Sequence, residues 1–279
     1  MMADRQPPRE PAVGRRPIRL VKIMAARALC SRREAERLIA AGSVRVDGRV
    51  IDQQGVKVDS EARIEIVGIG ERWLADKVTV LLHKPLGIVS TQPEGDQVPA
   101  WRLLTHERLY GAADPAVVKR ICREPWHLSV AGRLDQDSRG LLLLTSDGVL
   151  ARLVTGSHEW TKVYRVTVDR PVSDLALERL NSPRRLDDKP LLAMSVRQLG
   201  ERLLRFELRE GRKHQIRRVC REEKLTVKDL LRLSIGPFTL GDLPGGRWRV
   251  VADYVGQAFF PGRATHRGVM VAPSPHPKA

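Results

Sequence analysis

The sequence predicts an α+β protein whose main sheet is mixed and mostly antiparallel. Segments with strand patterns outnumber helical ones, several alternate apolar and polar residues, and no internal repeat or dinucleotide-type glycine pattern is present. Strands are expected near residues 43–50, 78–82, 141–145, 162–168, 191–197, 202–209 and 247–251, and helices near 19–28, 32–41, 149–154 and 212–220. Residues 92–126 show no clear pattern.

Residues 18–67 are predicted to form a small first domain. Ser31 is a predicted N-cap, and Glu34 three residues later completes a capping box. The helix that follows is expected to stop at Gly42, because glycine tolerates the left-handed backbone found at helix ends. Asp47-Gly48, flanked by alternating strand residues, predicts the turn of a β-hairpin.

Several arginines of this first domain are predicted to lie close together. Arg32 and Arg33 lie at a helix start and Arg45 lies on the hairpin, so phosphates can dock there. The domain resembles the S4 RNA-binding domain. The residues that carry this resemblance are Arg19-Leu20, Ser31-Arg32-Arg33-Glu34-Ala35, Ile39-Ala40-Ala41-Gly42, Val44-Arg45-Val46-Asp47-Gly48 and Val56-Lys57-Val58. We therefore expect these arginines to bind RNA.

The rest of the chain divides by composition. Residues 1–17 are rich in Pro and Arg and are expected to be a disordered basic arm, and residues 265–279 a disordered tail. Residues 68–77 are expected to be a linker in which Gly68 and Gly70 break regular structure. A larger second domain is expected to cover residues 78–264.

The composition favours a polyanionic partner. Lys and Arg number 49 against 33 Asp and Glu, a formal net charge of +16. This surplus points first to nucleic acid, with a basic surface that has no specific partner as the alternative. Aromatic residues make up only 4% of the chain, which disfavours a nonspecific single-strand binder that stacks successive bases. Phosphate contacts and a shaped pocket are expected instead.

Cysteine usage and hydropathy exclude several classes of protein. Cys30, Cys122 and Cys220 lie far apart and lack metal-ligand spacing, so we expect neither a disulfide framework nor a metal, and no cofactor. No apolar run approaches the roughly 20 residues that span a bilayer, and the N-terminus lacks a signal-peptide core. We therefore expect a cytoplasmic protein.

The most informative segment is the charged loop Gly132-Arg133-Leu134-Asp135-Gln136-Asp137-Ser138-Arg139-Gly140, directly before the apolar run Leu141–Leu144. The apolar run predicts a buried strand. A carboxylate at the edge of a buried strand is costly unless it is paired or used in chemistry. Asp135 is therefore the leading catalytic candidate, and Asp137 is a weaker one that supports the loop.

This segment resembles the signature loop of the RNA pseudouridine synthases that act on single ribosomal RNA sites, namely enzyme A of the small ribosomal particle and enzymes B, E and F of the large one. The other matching segments are Lys84-Pro85-Leu86-Gly87-Ile88-Val89-Ser90, Thr145-Ser146-Asp147-Gly148, Lys162-Val163-Tyr164-Arg165-Val166, Glu210-Gly211-Arg212-Lys213-His214-Gln215-Ile216-Arg217 and Leu233–Arg249. The resemblance implies the pseudouridine synthase fold, with a cleft across a central sheet.

The resemblance also implies roles for individual residues. Asp135 corresponds to the catalytic aspartate, Tyr164 to the tyrosine that packs on the target base, and Arg217 to the basic residue paired with the aspartate. An arginine beside Asp135 would hold its carboxylate ionised. Arg133 is expected to occupy the stack that a flipped base vacates. For Lys84, Arg212 and Lys213 we expect RNA contacts, although packing around the Pro85/Gly87 turn is the favoured role of the Lys84 segment.

These assignments predict an isomerase that converts a specific uridine of ribosomal RNA to pseudouridine and acts as a monomer. His158-Glu159 resembles the enzyme F branch of the family, which favours large-subunit rRNA as the substrate. Two alternatives remain open: an S4-type ribosome assembly factor with an inactive second domain, and an RNA glycosylase that releases free uracil. The sequence does not decide whether Asp135 attacks C1′ or assists removal of the C2′ proton.

Overall fold

The computed structural model describes residues 17–156 and 158–251, which form two compact units. Among these residues, the first unit comprises 17–78, the short segment 147–149 and residue 251, and the second comprises the remainder. The predicted arm, except Pro17, and the predicted tail lie outside the described residues, as does 252–264, the predicted end of the second domain. Within the described ranges, no helix is both long and apolar enough to cross a membrane.

The first unit has the predicted helices and hairpin. The Ser31 hydroxyl accepts a hydrogen bond from the Glu34 amide at 3.3 Å, and the Glu34 carboxylate accepts one from the Ser31 amide at 2.6 Å, so the capping box is confirmed. Its elements are α1 (Leu20–Ala26), α2 (Arg32–Ala40), α3 (Ile69–Ala75), β1 (Ile18–Arg19), β2 (Val44–Val46), β3 (Arg49–Ile51), β4 (Lys57–Val58) and β5 (Ile64–Ile66). Strands β3, β2 and β5 form a three-stranded antiparallel sheet.

Helix α3 lies in the segment that was expected to be an irregular linker. Gly70 does not break regular structure there, because it is buried inside this helix. A Cβ at this position would lie 2.7 Å from Leu38 Cδ2 and 3.0 Å from Ile66 Cγ2. The glycine therefore allows α3 to pack closely against its own unit, and only Gly68, at φ +63°, marks the preceding turn.

The second unit is built on a nine-stranded sheet. The main order is β14-β15-β11-β16-β10-β6-β18, with β17 paired to β16 and β9 to β10. Its strands are β6 (Thr79–Lys84), β9 (Ser129–Ala131), β10 (Arg139–Thr145), β11 (Lys162–Val168), β14 (Ser195–Gly200), β15 (Leu203–Leu208), β16 (Val227–Ile235), β17 (Phe238–Thr239) and β18 (Trp248–Val251). The β10–β16 pair is parallel and the other pairs with a recorded register are antiparallel, which confirms the mixed, mostly antiparallel sheet.

In the described part of the second unit, four short strands and four helices lie outside this sheet. The remaining strands are β7 (Ile88–Val89), β8 (Val98–Pro99), β12 (Arg185–Leu186) and β13 (Lys189–Pro190), and the helices are α4 (Pro115–Arg123), α5 (Gly148–Gly156), α6 (Asp174–Asn181) and α7 (Gln215–Glu222). Helix α7 buries Ile216, Val219 and Cys220 against the core residues of β11 and β15, as its sequence pattern predicts. Residues 92–126 contain β8, α4, two short 3-10 segments and the start of a third.

Strand β10 and its neighbour β16 position the signature loop. Leu141–Leu144 are fully buried, as expected of an apolar run in the middle of a sheet. Gly140 at the start of β10 lies opposite Arg232 of β16. The charged loop 132–138 joins β9 to β10 and so begins and ends in the central sheet, which gives Asp135 a rigid support.

Candidate active site

A pocket of about 310 Å³ opens in the second unit. Its walls come from loop 132–138, strands β11 and β16, and the segment 211–217 at the start of α7, with Val154 and Thr155 of α5 at one side. The three predicted catalytic residues, Asp135, Tyr164 and Arg217, all line it. The structure thus gathers segments that are far apart in sequence around one cavity.

The carboxylate of Asp135 is paired with a histidine. His214 Nδ1 lies 3.2 Å from Asp135 Oδ2, and both side chains are partly exposed. His214 has a left-handed backbone, at φ +52°, where the chain enters α7. This conformation is uncommon for a residue other than glycine, although histidine adopts it more readily than most. It turns the imidazole toward Asp135 instead of into the helix.

The expected pairing of Arg217 with Asp135 is wrong. Arg217 Nε forms an ion pair at 3.0 Å with Asp137 Oδ2, and its Nη2 donates to the Asp137 carbonyl at 2.7 Å. A further bond from Nη1 to the Val227 carbonyl ties the guanidinium to β16. Arg217 therefore holds the loop two residues beyond Asp135, while His214 faces the carboxylate itself.

Strand β11 supplies Tyr164 and Lys162 to the pocket. Both face the same side of the sheet because they are two residues apart, and each is 7% exposed. Arg232 of β16 lies beside them, since Tyr164 and Arg232 are partners in the strand register. The wall formed by these strands thus combines one aromatic ring with two buried cations.

Arg232 holds the signature loop in place. Its side chain is 1% exposed, and its Nε donates to the Leu141 carbonyl at 2.8 Å. Its Nη2 and Nη1 donate to the carbonyls of Gly132 and Arg133, at 2.8 and 3.2 Å. Carbonyl acceptors satisfy the donors of this guanidinium without neutralising its charge, so the loop is fixed by a buried cation.

The pocket and its surroundings are electropositive. Burial lowers the pKa of Lys162, and the like charge of Arg232 lowers it further. Burial and Arg232 also lower the pKa of Lys84 to about 8, against the opposing attraction of Asp137 and Asp135. Buried positive charge that outweighs buried negative charge favours an anionic ligand or a reaction that develops negative charge. Across the described ranges, no cluster of His, Cys, Asp and Glu has the arrangement of a metal site.

Family models match both units of the chain. A model described as RNA pseudouridylate synthase matches residues 78–222, just over half of the chain, and a model of the S4 domain matches residues 18–64. The chain belongs to the RNA pseudouridine synthase family. It is therefore an enzyme that isomerises uridine in RNA, and the S4 domain contributes to binding that RNA.

Several relatives support the same assignment. An uncharacterized RNA pseudouridine synthase of Mycobacterium tuberculosis is 34% identical over 266 residues, covering 93% of this chain and 98% of the relative. The dual-specificity RNA pseudouridine synthase RluF of Escherichia coli is 30% identical, covering 85% of this chain and 76% of the relative. A crystal structure of a pseudouridylate synthase superposes with a TM-score of 0.56 at 25% identity, covering 85% and 97% of the two chains.

Two residues of this synthase that were predicted to contact RNA have structural contacts instead. Lys84 is fully buried, and its Nζ donates to the carbonyls of Pro85 and Ile88 at 2.9 and 2.7 Å, so it holds the turn between them. Arg212 donates to the carbonyls of residues 186, 189 and 190 and pairs with Glu210 at 3.3 Å. Its guanidinium therefore fixes the β12–β13 hairpin, and the expectation of a phosphate contact is corrected.

The other predicted RNA-contacting side chains of the synthase are accessible. Arg133 and Lys213 are exposed and line the pocket. In the first unit, Arg32 and Arg33 at the start of α2 and Arg45 on β2 are all exposed. These positions leave the charged groups of the side chains accessible to RNA.

Three residues at the site were not singled out from the sequence. The sequence motif includes His214 but assigned it no role, and no neighbouring residue predicts its left-handed backbone. Lys162 has a usable signal, because it lies two residues before Tyr164 on a predicted strand and so shares its face. Arg232 interrupts the apolar run Leu230–Ile235, and a lone arginine in such a run indicates a buried, hydrogen-bonded role.

Proposed function

We propose that this synthase converts one specific uridine of ribosomal RNA, in the large subunit, to pseudouridine, with Asp135 as the catalytic carboxylate. The observation that carries the proposal is that Asp135 and the buried ring of Tyr164 line the same pocket of about 310 Å³. The choice of large-subunit rRNA is supported by the resemblance of His158-Glu159 to the enzyme F branch. We also propose that the enzyme acts as a monomer.

The number of carboxylates supports isomerisation over hydrolysis. Glycoside hydrolysis commonly employs two carboxylates that flank the scissile bond, one as acid and one as base or nucleophile. Of the described residues that line this pocket, Asp135 is the one carboxylate, and Asp137 is paired with Arg217 outside it. A single carboxylate suffices if the uracil is held after the N1–C1′ bond breaks and is rejoined to C1′ through its C5 atom.

Two routes for Asp135 fit this pocket. In one, its oxygen attacks C1′ and displaces the uracil with both electrons of the N1–C1′ bond. In the other, it removes the C2′ proton and the uracil leaves with the same electron pair. In both routes the carboxylate must be ionised, and the facing imidazole of His214 orients it. Tyr164 provides a surface against which the detached ring packs.

The target uridine must leave its stack to enter the pocket. Flipping a nucleotide costs a few kcal/mol, and contacts elsewhere on the RNA must offset that cost. Arg133 is exposed at the pocket, two residues before Asp135, and its planar guanidinium is suited to fill the vacated stack. Lys213 and the S4 arginines are proposed to bind phosphates.

The proposal predicts isomerisation without release of free base. RNA labelled with tritium at uridine C5 should lose tritium to water in the presence of the enzyme, since C5 exchanges its hydrogen for the bond to C1′. Digestion should yield pseudouridine and no free uracil. Both ribosomal and transfer RNA should be tested, since one relative is named as dual-specificity. Free uracil as product would establish a glycosylase, and binding without tritium release would establish an inactive RNA-binding factor.

The position of the modified uridine can be mapped directly. Carbodiimide treatment followed by primer extension stops reverse transcription at pseudouridine, so ribosomal RNA with and without the enzyme should differ by one stop. A stop in large-subunit rRNA is expected. A new stop only in small-subunit rRNA or in tRNA would contradict the proposed substrate while leaving the isomerase assignment intact.

Neutralising the S4 arginines should weaken RNA binding through lost phosphate contacts. We expect the variant Arg32→Ala, Arg33→Ala and Arg45→Ala to bind rRNA more weakly, with a shallower dependence of log K on log [salt]. Each lost contact should reduce that slope by about 0.7–0.9. A filter-binding titration at several salt concentrations measures both quantities. Substituting Arg170, which is paired with Asp169 in the second unit, is the matched control. An unchanged slope in the triple variant would exclude these phosphate contacts.

A further inference from the structure

Two lysines near the site are almost equally buried but differ in their partners. The ammonium of Lys84 has two carbonyl acceptors within 2.9 Å. Lys162 is 7% exposed, lines the pocket, and has neither a hydrogen-bond acceptor nor an ion-pair partner among residues 17–156 and 158–251. The Lys162 side chain is mostly buried and lines the pocket, so a ligand bound there is the natural source of an acceptor for its ammonium.

The position of Lys162 indicates which part of a nucleotide it meets. A flipped nucleotide stays joined to the RNA strand, so its phosphates remain at the mouth of the pocket and its base enters the interior. The exposed cations Arg133 and Lys213 are therefore placed for the RNA strand outside the pocket, Lys213 for its phosphates and Arg133 for the vacated stack. Lys162 lies on the buried wall, on the same strand face as Tyr164, and is therefore placed for the base.

We propose that Lys162 is a catalytic residue that donates a hydrogen bond to a carbonyl oxygen of the uracil ring and stabilises the anion formed when the N1–C1′ bond breaks. This inference rests on the proposed function of the pocket. When the bond breaks, its electron pair stays on N1 and is delocalised onto O2 and O4. Lys162 keeps its proton throughout. The ring then turns and C5 forms the bond to C1′; in the first route this bond displaces the Asp135 oxygen, and in the second Asp135 returns its proton to C2′. The C5 proton leaves last.

Charge development explains why this contact accelerates the reaction. Uracil within intact uridine is neutral, whereas the leaving ring carries a full negative charge, and this holds for both routes open to Asp135. A fixed cation beside the ring therefore stabilises the transition state more than the bound substrate. The depressed pKa of Lys162 accords with an ammonium that lacks an anionic partner before the reaction. Arg232 lines the same pocket, where three carbonyls hold its guanidinium, and it adds positive potential there.

The test compares Lys162→Met with the wild-type enzyme in single-turnover reactions at saturating RNA. The loss of one such donor should lower the rate of the chemical step by about 100- to 1000-fold, with RNA affinity nearly unchanged. Lys228→Met, on the exposed side of β16, should match the wild type in both quantities. Replacing a buried charge with a side chain of similar volume is well tolerated, so the variant should fold. Lys162→Gln provides a second neutral variant if it does not.

A substrate with a better leaving group separates a catalytic role from a structural one. Fluorine at C5 of the target uridine withdraws electrons and stabilises the uracil anion, so that the reaction depends less on Lys162. The rate deficit of Lys162→Met should therefore shrink when disappearance of 5-fluorouridine is followed by digestion and mass spectrometry. An equal deficit on both substrates, or a loss confined to RNA affinity, would overturn the proposal. If wild-type enzyme forms no pseudouridine, the proposed function fails instead, independently of Lys162.

Discussion

Replacing Asp135 with asparagine is expected to abolish tritium release from C5-labelled rRNA, with a fall of at least about 10⁴-fold in the single-turnover rate, the scale on which a catalytic carboxylate acts in other enzymes. The amide keeps the size and planarity of the carboxylate, so the loop should retain its shape. It carries no negative charge, and so it can neither attack C1′ nor remove the C2′ proton. RNA affinity should remain close to that of the wild type.

The same loop supplies a matched control. Asp137→Asn makes the same chemical change two residues away, on a carboxylate that pairs with Arg217 and is 58% exposed. This variant should keep most of the activity, because the Arg217 bonds to the carbonyls of Asp137 and Val227 remain. Pseudouridine formation that survives in Asp135→Asn but not in Asp137→Asn would transfer the catalytic role to Asp137.

Local sequence patterns were sufficient to predict most of the helices and strands. The capping box at Ser31, the hairpin at Asp47-Gly48 and the strand Lys162–Val168 each depend on neighbouring residues, and the structure contains all three. The central strand Val227–Ile235 was not predicted as a strand. It buries residues toward both faces of the sheet and pairs with β11 through two register shifts, so its sequence lacks the alternation that indicates a half-exposed strand.

Residues of the site could be predicted from the sequence only where a single local motif identifies them. The motif around Asp135 identified the candidate carboxylate, but its partner depends on how the chain enters α7. The left-handed backbone at His214 turns that imidazole toward Asp135, and one helical turn later Arg217 meets Asp137. Contacts such as those of Arg232 with the loop join residues about a hundred positions apart, and no spacing rule in the sequence reports them.

Gly140→Ala is expected to have the largest effect on folding. Gly140 lies opposite Arg232 in the parallel strand pair β10–β16 of the main sheet, at φ +109°, a conformation that L-residues rarely adopt. A Cβ there would lie 2.4 Å from the Arg232 carbonyl oxygen and 2.6 Å from its nitrogen. These are backbone atoms of a central strand, so they cannot move away as a flexible side chain would.

The cost should therefore exceed about 4 kcal/mol, a loss seen only for severe backbone or core changes, and soluble yield should fall with it. Urea unfolding followed by circular dichroism measures the loss of stability. Gly200→Ala in edge strand β14 is the control, because its nearest atom, Leu203 Cβ, is 3.6 Å away and its φ is ordinary. If Gly140→Ala folds with wild-type stability, β10 and β16 do not approach this closely. In Gly140→Ala, the added Cβ would force β16 away from β10 and would move Arg232 away from the carbonyls of Gly132 and Arg133. Activity and stability should therefore fall together.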